Sequence, residues 1–343
     1  MRAPRTLQGR FLVALAIGFV AAHSARAASD APRARSVLRV GVTVESVERS
    51  RAFFRDVLDF EPVSEREVAG DAYEHLTGVF GARARIVEMR LGDEVLELTE
   101  FLSAGGRPIA PDARSNDRSF QHIAIIVRDM REAYARLRSH GVRHASTGPQ
   151  RLPDWNPAAG GIEAFYFLDP DGHVLEILAF PPGKGREKWH RPTTRLFLGI
   201  DHTAIVVGDT DRSLALYRDG LGMRVIGESE NHGAEQEHLN NVFGARLRIT
   251  TLSAGEGPSV ELLEYLSPQG GRPMPADSNA RDLWHWHVDV QVADADGLTR
   301  SARAKGAAWI SPGALPLPDD LDRGARGAVI QDSDGHVLRL LQP

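Results

Sequence analysis

Four runs of β-branched and aliphatic residues, at 39–44, 122–127, 202–207 and 287–292, each predict a strand. Seven positions after each run begins stands a helix-capping residue: Ser46, Asp129, Asp209 and Asp294. Apolar residues then recur at helical spacing, as Phe53, Phe54, Val57 and Leu58, as Tyr134 and Leu137, and as Leu214, Tyr217 and Leu221. Gly141, Gly222 and Gly306 stop three of these helices, and Asp59 stands at the end of the first. Three strand-like runs follow each helix; in the third copy they are 224–228, 245–252 and 260–266. In the second and fourth copies the last strand is entered through Asp171-Gly172 and Asp334-Gly335, dipeptides of tight hairpins. The pattern predicts an α+β fold of four βαβββ modules. A three-stranded meander cannot close a core alone, so modules should pair into curved, mostly antiparallel sheets with helices outside and a concave face inside.

The modules are grouped by an internal duplication. The segment from His75 through Val79, Phe80 and Gly81 to Arg83 returns from His238 through Val242, Phe243 and Gly244 to Arg246, an offset of 163 residues. Gly105-Gly106-Arg107-Pro108 likewise returns as Gly270-Gly271-Arg272-Pro273. The expected domains are 37–181 and 197–343, joined by a linker at 182–196 rich in Pro, Gly and charge, with each domain closing its own cup.

Composition narrows the classes. The 343 residues include 41 Lys+Arg, 46 Asp+Glu and no Cys, which fits a soluble globular protein and excludes thiol nucleophiles, disulfides and cysteine-ligated metals. Residues 1–27 read as a signal peptide, with Arg2, Arg5 and Arg10 before an apolar run and Ala25-Arg26-Ala27 at the cleavage site. Cleavage after Ala27 would remove four Arg and take the net charge from −5 to −9, leaving a secreted or periplasmic, acidic protein. Nucleic acid is then not an expected partner, nor is a membrane once the leader is gone; a small molecule is, for a monomer or homodimer.

Charged residues stand at repeated positions inside apolar strands. Arg39, His122, His202 and His287 each lie seven residues before a cap, and Glu97, Glu176, Glu261 and Arg339 each lie within a last strand. A bare charge in such a strand would cost several kcal/mol unless paired or bound to an ion.

The paired modules resemble the vicinal oxygen chelate superfamily. So do the opening Ile200-Asp201-His202-Thr203, the strand Val260-Glu261-Leu262-Leu263-Glu264-Tyr265 and the stretch from Asp169 through Gly172 and His173 to Glu176. The superfamily includes glyoxalase I, extradiol dioxygenases, methylmalonyl-CoA epimerase and the fosfomycin and bleomycin resistance proteins. The resemblance implies a divalent metal in the cup, with ligands from first and last strands. Carried over by contiguous domain, it implies Glu97, His122 and Glu176 as ligands in the first domain, beside Arg39. In the second it implies His202, Glu261 and His287, beside Arg339. The second set is the two-His, one-carboxylate set of a non-haem Fe(II) centre, and the first suits a harder ion. Fe2+ is the favoured metal, with Mn2+, Ni2+ or Zn2+ as alternatives. In the reading without a metal, each Arg neutralises a neighbouring Glu and the cup holds an ionic network.

Alternation places His285 on the polar face of its strand with His287, Asp289 and Gln291, where it is a candidate general base or a rim residue. Arg246 and Arg248, like Arg83 and Arg85, share a strand face and are candidate anchors for an anionic substrate or a solvated edge; Arg39 and Arg339 are further substrate-binding candidates. His75 and His238 are expected near the mouth, and His173 and His336 exposed in turns. The function expected is a metal-dependent dioxygenase acting on a catechol-like compound in the second domain. A glyoxalase-type lyase or isomerase and a metal-free sequestration protein stand as alternatives.

Overall fold

The computed structural model describes residues 33–343 apart from 104 and 323; the expected leader at 1–27 lies outside the described residues. No helix among the described residues is long and apolar enough to cross a membrane.

The four βαβββ modules form as their patterns dictate. Their opening strands are Ala34–Thr43, Gln121–Val127, Phe197–Val207 and Trp286–Val292. The side chains of Ser46, Asp129, Asp209 and Asp294 accept the backbone N–H three residues on, satisfying an orphan donor of each helix N-terminus. Asp59 adopts the left-handed conformation at φ 60° that Gly222 supplies in the third module at φ 72°. Two short helices, Asp71–Thr77 and Ala234–Asn240, fall where the periodicity predicts only strand and loop.

The pairing of modules differs from the contiguous one expected. One nine-stranded sheet joins the first module to the fourth, through antiparallel pairing of Ala34–Thr43 with Trp286–Val292. The other, also of nine strands, joins the second to the third, through Gln121–Val127 and Phe197–Val207. Within every module the opening strand also runs parallel to the last, as Val40–Thr43 does to Leu96–Thr99.

The first and second modules, and the third and fourth, meet instead through their helices and the sheet faces beneath them. Phe54, Val57 and Leu58 of the first module share a buried core with Leu137, Phe165 and Ile177 of the second. Leu214, Tyr217 and Leu262 of the third do the same with Leu298, Ile330 and Leu340 of the fourth. Thus the two modules within each half of the duplication are back to back, and each concave cup is built from both halves. The repeated Gly-Gly-Arg-Pro motifs tie this arrangement together. Arg107 Nη2 donates to Asp282 at 2.7 Å and Arg272 Nη2 to Asp117 at 2.6 Å. Gly106 and Gly271 let the chain pass where a Cβ would lie 1.7 and 1.6 Å from the carbonyl oxygens of Arg281 and Asn116.

Candidate functional site

Because the second and third modules share a sheet, their first and last strands bring His122, Glu176, His202 and Glu261 into one cup. His122 Nε2 lies 3.2 Å from Glu176 Oε2, and His202 Nε2 lies 3.6 Å from the same oxygen and 3.4 Å from Glu261 Oε2. The first three are buried, and Glu261 is the most open. No Lys or Arg pairs with either Glu among the described residues; the only cationic partners within 4 Å are the two imidazoles. The cluster opens into a cavity of about 430 Å3.

Its neighbours fix these side chains. His202 Nδ1 donates to Asp201 Oδ2 at 3.2 Å, and Asp201 in turn accepts from the Trp189 indole at 2.7 Å. Trp189 belongs to the 3-10 turn Glu187–His190, so the segment between the repeats braces the cup rather than merely spanning it. Thr251 Oγ1 donates to Glu261 Oε1 at 2.8 Å. Burial works to lower the His202 pKa, but Glu261, Asp201 and Glu176 outweigh it and push it up to about 9. Burial works to raise Asp201, and its bond to His202 holds it below the ordinary range.

His122, Glu176 and His202 offer donor atoms within 4.8 Å of one another. With both imidazoles neutral, the four-residue set carries two uncompensated negative charges in a desolvated pocket. That mixed nitrogen and oxygen set fits a first-row divalent ion such as Zn2+, Ni2+, Fe2+ or Mn2+.

The other cup holds Arg39, Glu97, His287 and Arg339. Asp289 accepts from Arg39 Nε at 2.5 Å and from Arg339 Nε at 2.7 Å. Glu97 accepts from Arg339 Nη2 at 3.1 Å and Arg66 Nη2 at 3.2 Å, and Arg39 Nη1 donates to Glu88 at 2.6 Å. Three guanidiniums thus meet three carboxylates. Burial raises the Glu97 pKa, but Arg339 and Arg39 outweigh it and hold it well below the usual carboxylate range. Glu97, His287 and Asp289 are close enough to chelate. Their carboxylate charge, however, is already taken by arginines that cannot release a proton, so the donor set does not fit a cation.

The ligand sets drawn by contiguous domain are therefore redistributed. His287 sits in the first-and-fourth-module cup, apart from His202 and Glu261; Glu97 sits there too, apart from His122 and Glu176. His285 accompanies His287, with ring centroids 6.0 Å apart, and is not placed to serve the four-residue cluster. Its pKa is lowered to about 3 by burial and then by His287 and Arg339, which keeps it neutral.

Arg246 and Arg248 lie on the outer face, paired with Glu230 at 2.8 Å and Asp211 at 3.0 Å, while the alternating Leu247, Ile249 and Thr251 line the cavity. Arg83 and Arg85 likewise pair with Glu67 and Glu65 outside. These four belong to a solvated edge. Arg39 and Arg339 are matched in charge by carboxylates of the protein. His75 and His238 are exposed. His173 and His336, expected in open turns, are buried: His173 donates to the Leu283 carbonyl at 2.6 Å and His336 to that of Val206 at 2.8 Å.

Residues 36–177 and 199–340 each match the Glyoxalase/Bleomycin resistance protein/Dioxygenase superfamily. The chain is 29% identical to glyoxalase I of Saccharomyces cerevisiae over 62% of either chain. It is 32% identical to the 2-epi-5-epi-valiolone epimerase of an Actinomyces species over 44% of its own length and 83% of the relative's. The crystal structure of glyoxalase I from Zea mays superposes with a TM-score of 0.58, covering 90% of this chain and 92% of that one at 15% identity, a likeness of fold. The chain thus spans about three fifths of the yeast relative.

Proposed function

Since the chain belongs to the glyoxalase/bleomycin resistance protein/dioxygenase superfamily, we propose that its second-and-third-module cup is a metal-dependent enzyme centre that moves a proton between neighbouring carbons of a small hydroxycarbonyl compound. The observation that carries this reading is the convergence of His122, Glu176, His202 and Glu261 with no arginine among them. A divalent ion held there would act as a Lewis acid on the substrate's carbonyl and neighbouring hydroxyl oxygens, acidifying the C–H of the hydroxyl-bearing carbon.

The chain's own groups supply the rest. Asp201 holds His202 in the tautomer that leaves Nε2 facing the cup. Glu261, whose side chain is 19% exposed against 5% for Glu176, is the carboxylate open to the cavity and the one assigned to take and return the proton. Leu247, Ile249 and Leu263 line the wall and exclude water from the reacting carbon. The Actinomyces relative is an epimerase by name, and removal and return of a proton at one carbon would use the same acidified C–H and the same base.

The test is solvent-deuterium incorporation at the carbon next to the carbonyl of α-hydroxyketones and thiol adducts of α-ketoaldehydes. Incorporation by the metal-loaded protein, lost about 10^3-fold in Glu261→Gln, is expected; no incorporation by any metal form overturns the reading. The set His122, His202 and Glu176 on its own also meets the two-His, one-carboxylate requirement of a dioxygenase. Oxygen uptake with catechols in the absence of exchange would favour that reaction instead.

A further inference from the structure

The cup closed to a cation still contains a cavity of about 250 Å3. Its floor is Glu97 and Arg339, each already matched in charge. Its walls are aromatic, with Tyr73, Phe101, Trp284 and Trp286 among the lining residues. The polar groups that open into it without a hydrogen bond among the described residues include the Tyr73 hydroxyl, the His285 ring and His287 Nε2. Tyr73 is 2% exposed, yet its hydroxyl makes no hydrogen bond among the described residues. Neither ring nitrogen of the half-buried His285 makes one either. The position matching Tyr73 in the other cup is Gln236, whose amide nitrogen does bond, to Asn240. A neutral imidazole and a phenol together offer both donors and an acceptor.

We propose that this cup is a second, metal-independent binding site for a small uncharged aromatic compound of one or two fused rings bearing a hydroxyl. Its ring packs among Phe101, Trp284 and Trp286, and its hydroxyl bonds to Tyr73 and His285. The class follows from the charge balance: three guanidiniums already face three carboxylates, so an added carboxylate would be a fourth buried negative charge without a counter-ion, whereas a neutral ring loses only its hydration.

The experiment is calorimetry on the full chain after metal removal, with 2-naphthol and 2-naphthoate as a neutral and anionic pair. One 2-naphthol binds per chain with a dissociation constant of roughly 10–100 µM, unchanged by reloading the metal, and 2-naphthoate binds at least about tenfold more weakly. Tyr73→Phe weakens 2-naphthol about tenfold, and His122→Ala in the other cup leaves it unchanged. If Tyr73→Phe does not fold, as judged by circular dichroism, His285→Leu at its half-buried position takes its place with the same expected loss. Absence of binding at 1 mM 2-naphthol, equal affinity for both probes, or binding lost in His122→Ala overturns the proposal. Because the measurement uses metal-free protein, its failure leaves the deuterium-exchange test of the other cup untouched.

Discussion

The two cups are the same scaffold with opposite solutions to one electrostatic problem. Strand register sets their residues side by side. His122 and His287 correspond, as do Glu261 and Glu97. Where one cup has His202, Ser229, Thr251, Ala124 and Glu176, the other has Arg39, Arg66, Glu88, Asp289 and Arg339. Three positions gained a guanidinium and two gained a carboxylate, so the second cup carries its own counter-charges. The first leaves its carboxylates facing only imidazole, so their counter-charge is a proton on His202 or a cation that replaces it. A backbone difference reinforces this. His287 lies flat over Gly41, where a Cβ would sit 2.0 Å from its Cε1, whereas the matching residue beside His122 is Ala204. Removing one methyl group lets the imidazole settle onto the strand beside Glu97.

The sharpest break of this comparison is Asp289→Ala. It leaves Arg39 and Arg339 each short of one carboxylate partner, and urea denaturation should report a loss of about 3–5 kcal/mol. That loss should be the same with or without metal.

Chelation should act on the other cup alone. Stripping metal present at 100–1,000 times its dissociation constant lowers stability by about 3–4 kcal/mol. Glu176→Ala should abolish that difference, and Glu97→Gln should preserve it.

The pH dependence follows from His202, whose pKa in the folded, metal-free protein is raised to about 9. Its contribution to stability is fully present below the unfolded value near 6.5 and is lost as pH rises through about 9, on the order of 3 kcal/mol. Denaturation of metal-free protein at pH 6 and pH 9.5 checks this, and His202→Gln should remove the slope. Metal affinity runs the opposite way, rising over the same window as the competing proton leaves.

The smallest effect is steric. Gly41→Ala forces His287 off the strand and should cost about 1–3 kcal/mol, read as a lowered melting temperature, while Ala204→Gly should cost about 1 kcal/mol.

Much of this was legible in the chain. The caps Ser46, Asp129, Asp209 and Asp294, and the turn at Asp59, are local signals that no tertiary contact overrides. The residue types at both ligand positions were legible as well, since a charge inside an apolar strand declares that something must pair with it. Which strands share a sheet was not. The opening strands of all four modules satisfy the same alternation, and the connections after Phe101 and after Ala179 carry no pattern that selects one edge over another. That single ambiguity divided the ligands wrongly, because it assigned an arginine to each cup when both belong to one. His173 and His336 misled for a related reason. Asp-Gly marks a turn, but the rings reach across it to carbonyls of Leu283 and Val206 in distant strands. The helices Asp71–Thr77 and Ala234–Asn240 are too short to show a period.

The central claim is that one cup takes a metal and the other replaces it with arginine. Metal analysis of the purified chain and of two single variants tests it directly. The account predicts about one equivalent of divalent metal per chain, lost in His122→Ala and retained in His287→Ala. Two equivalents per chain, or loss of metal in His287→Ala with retention in His122→Ala, would contradict it.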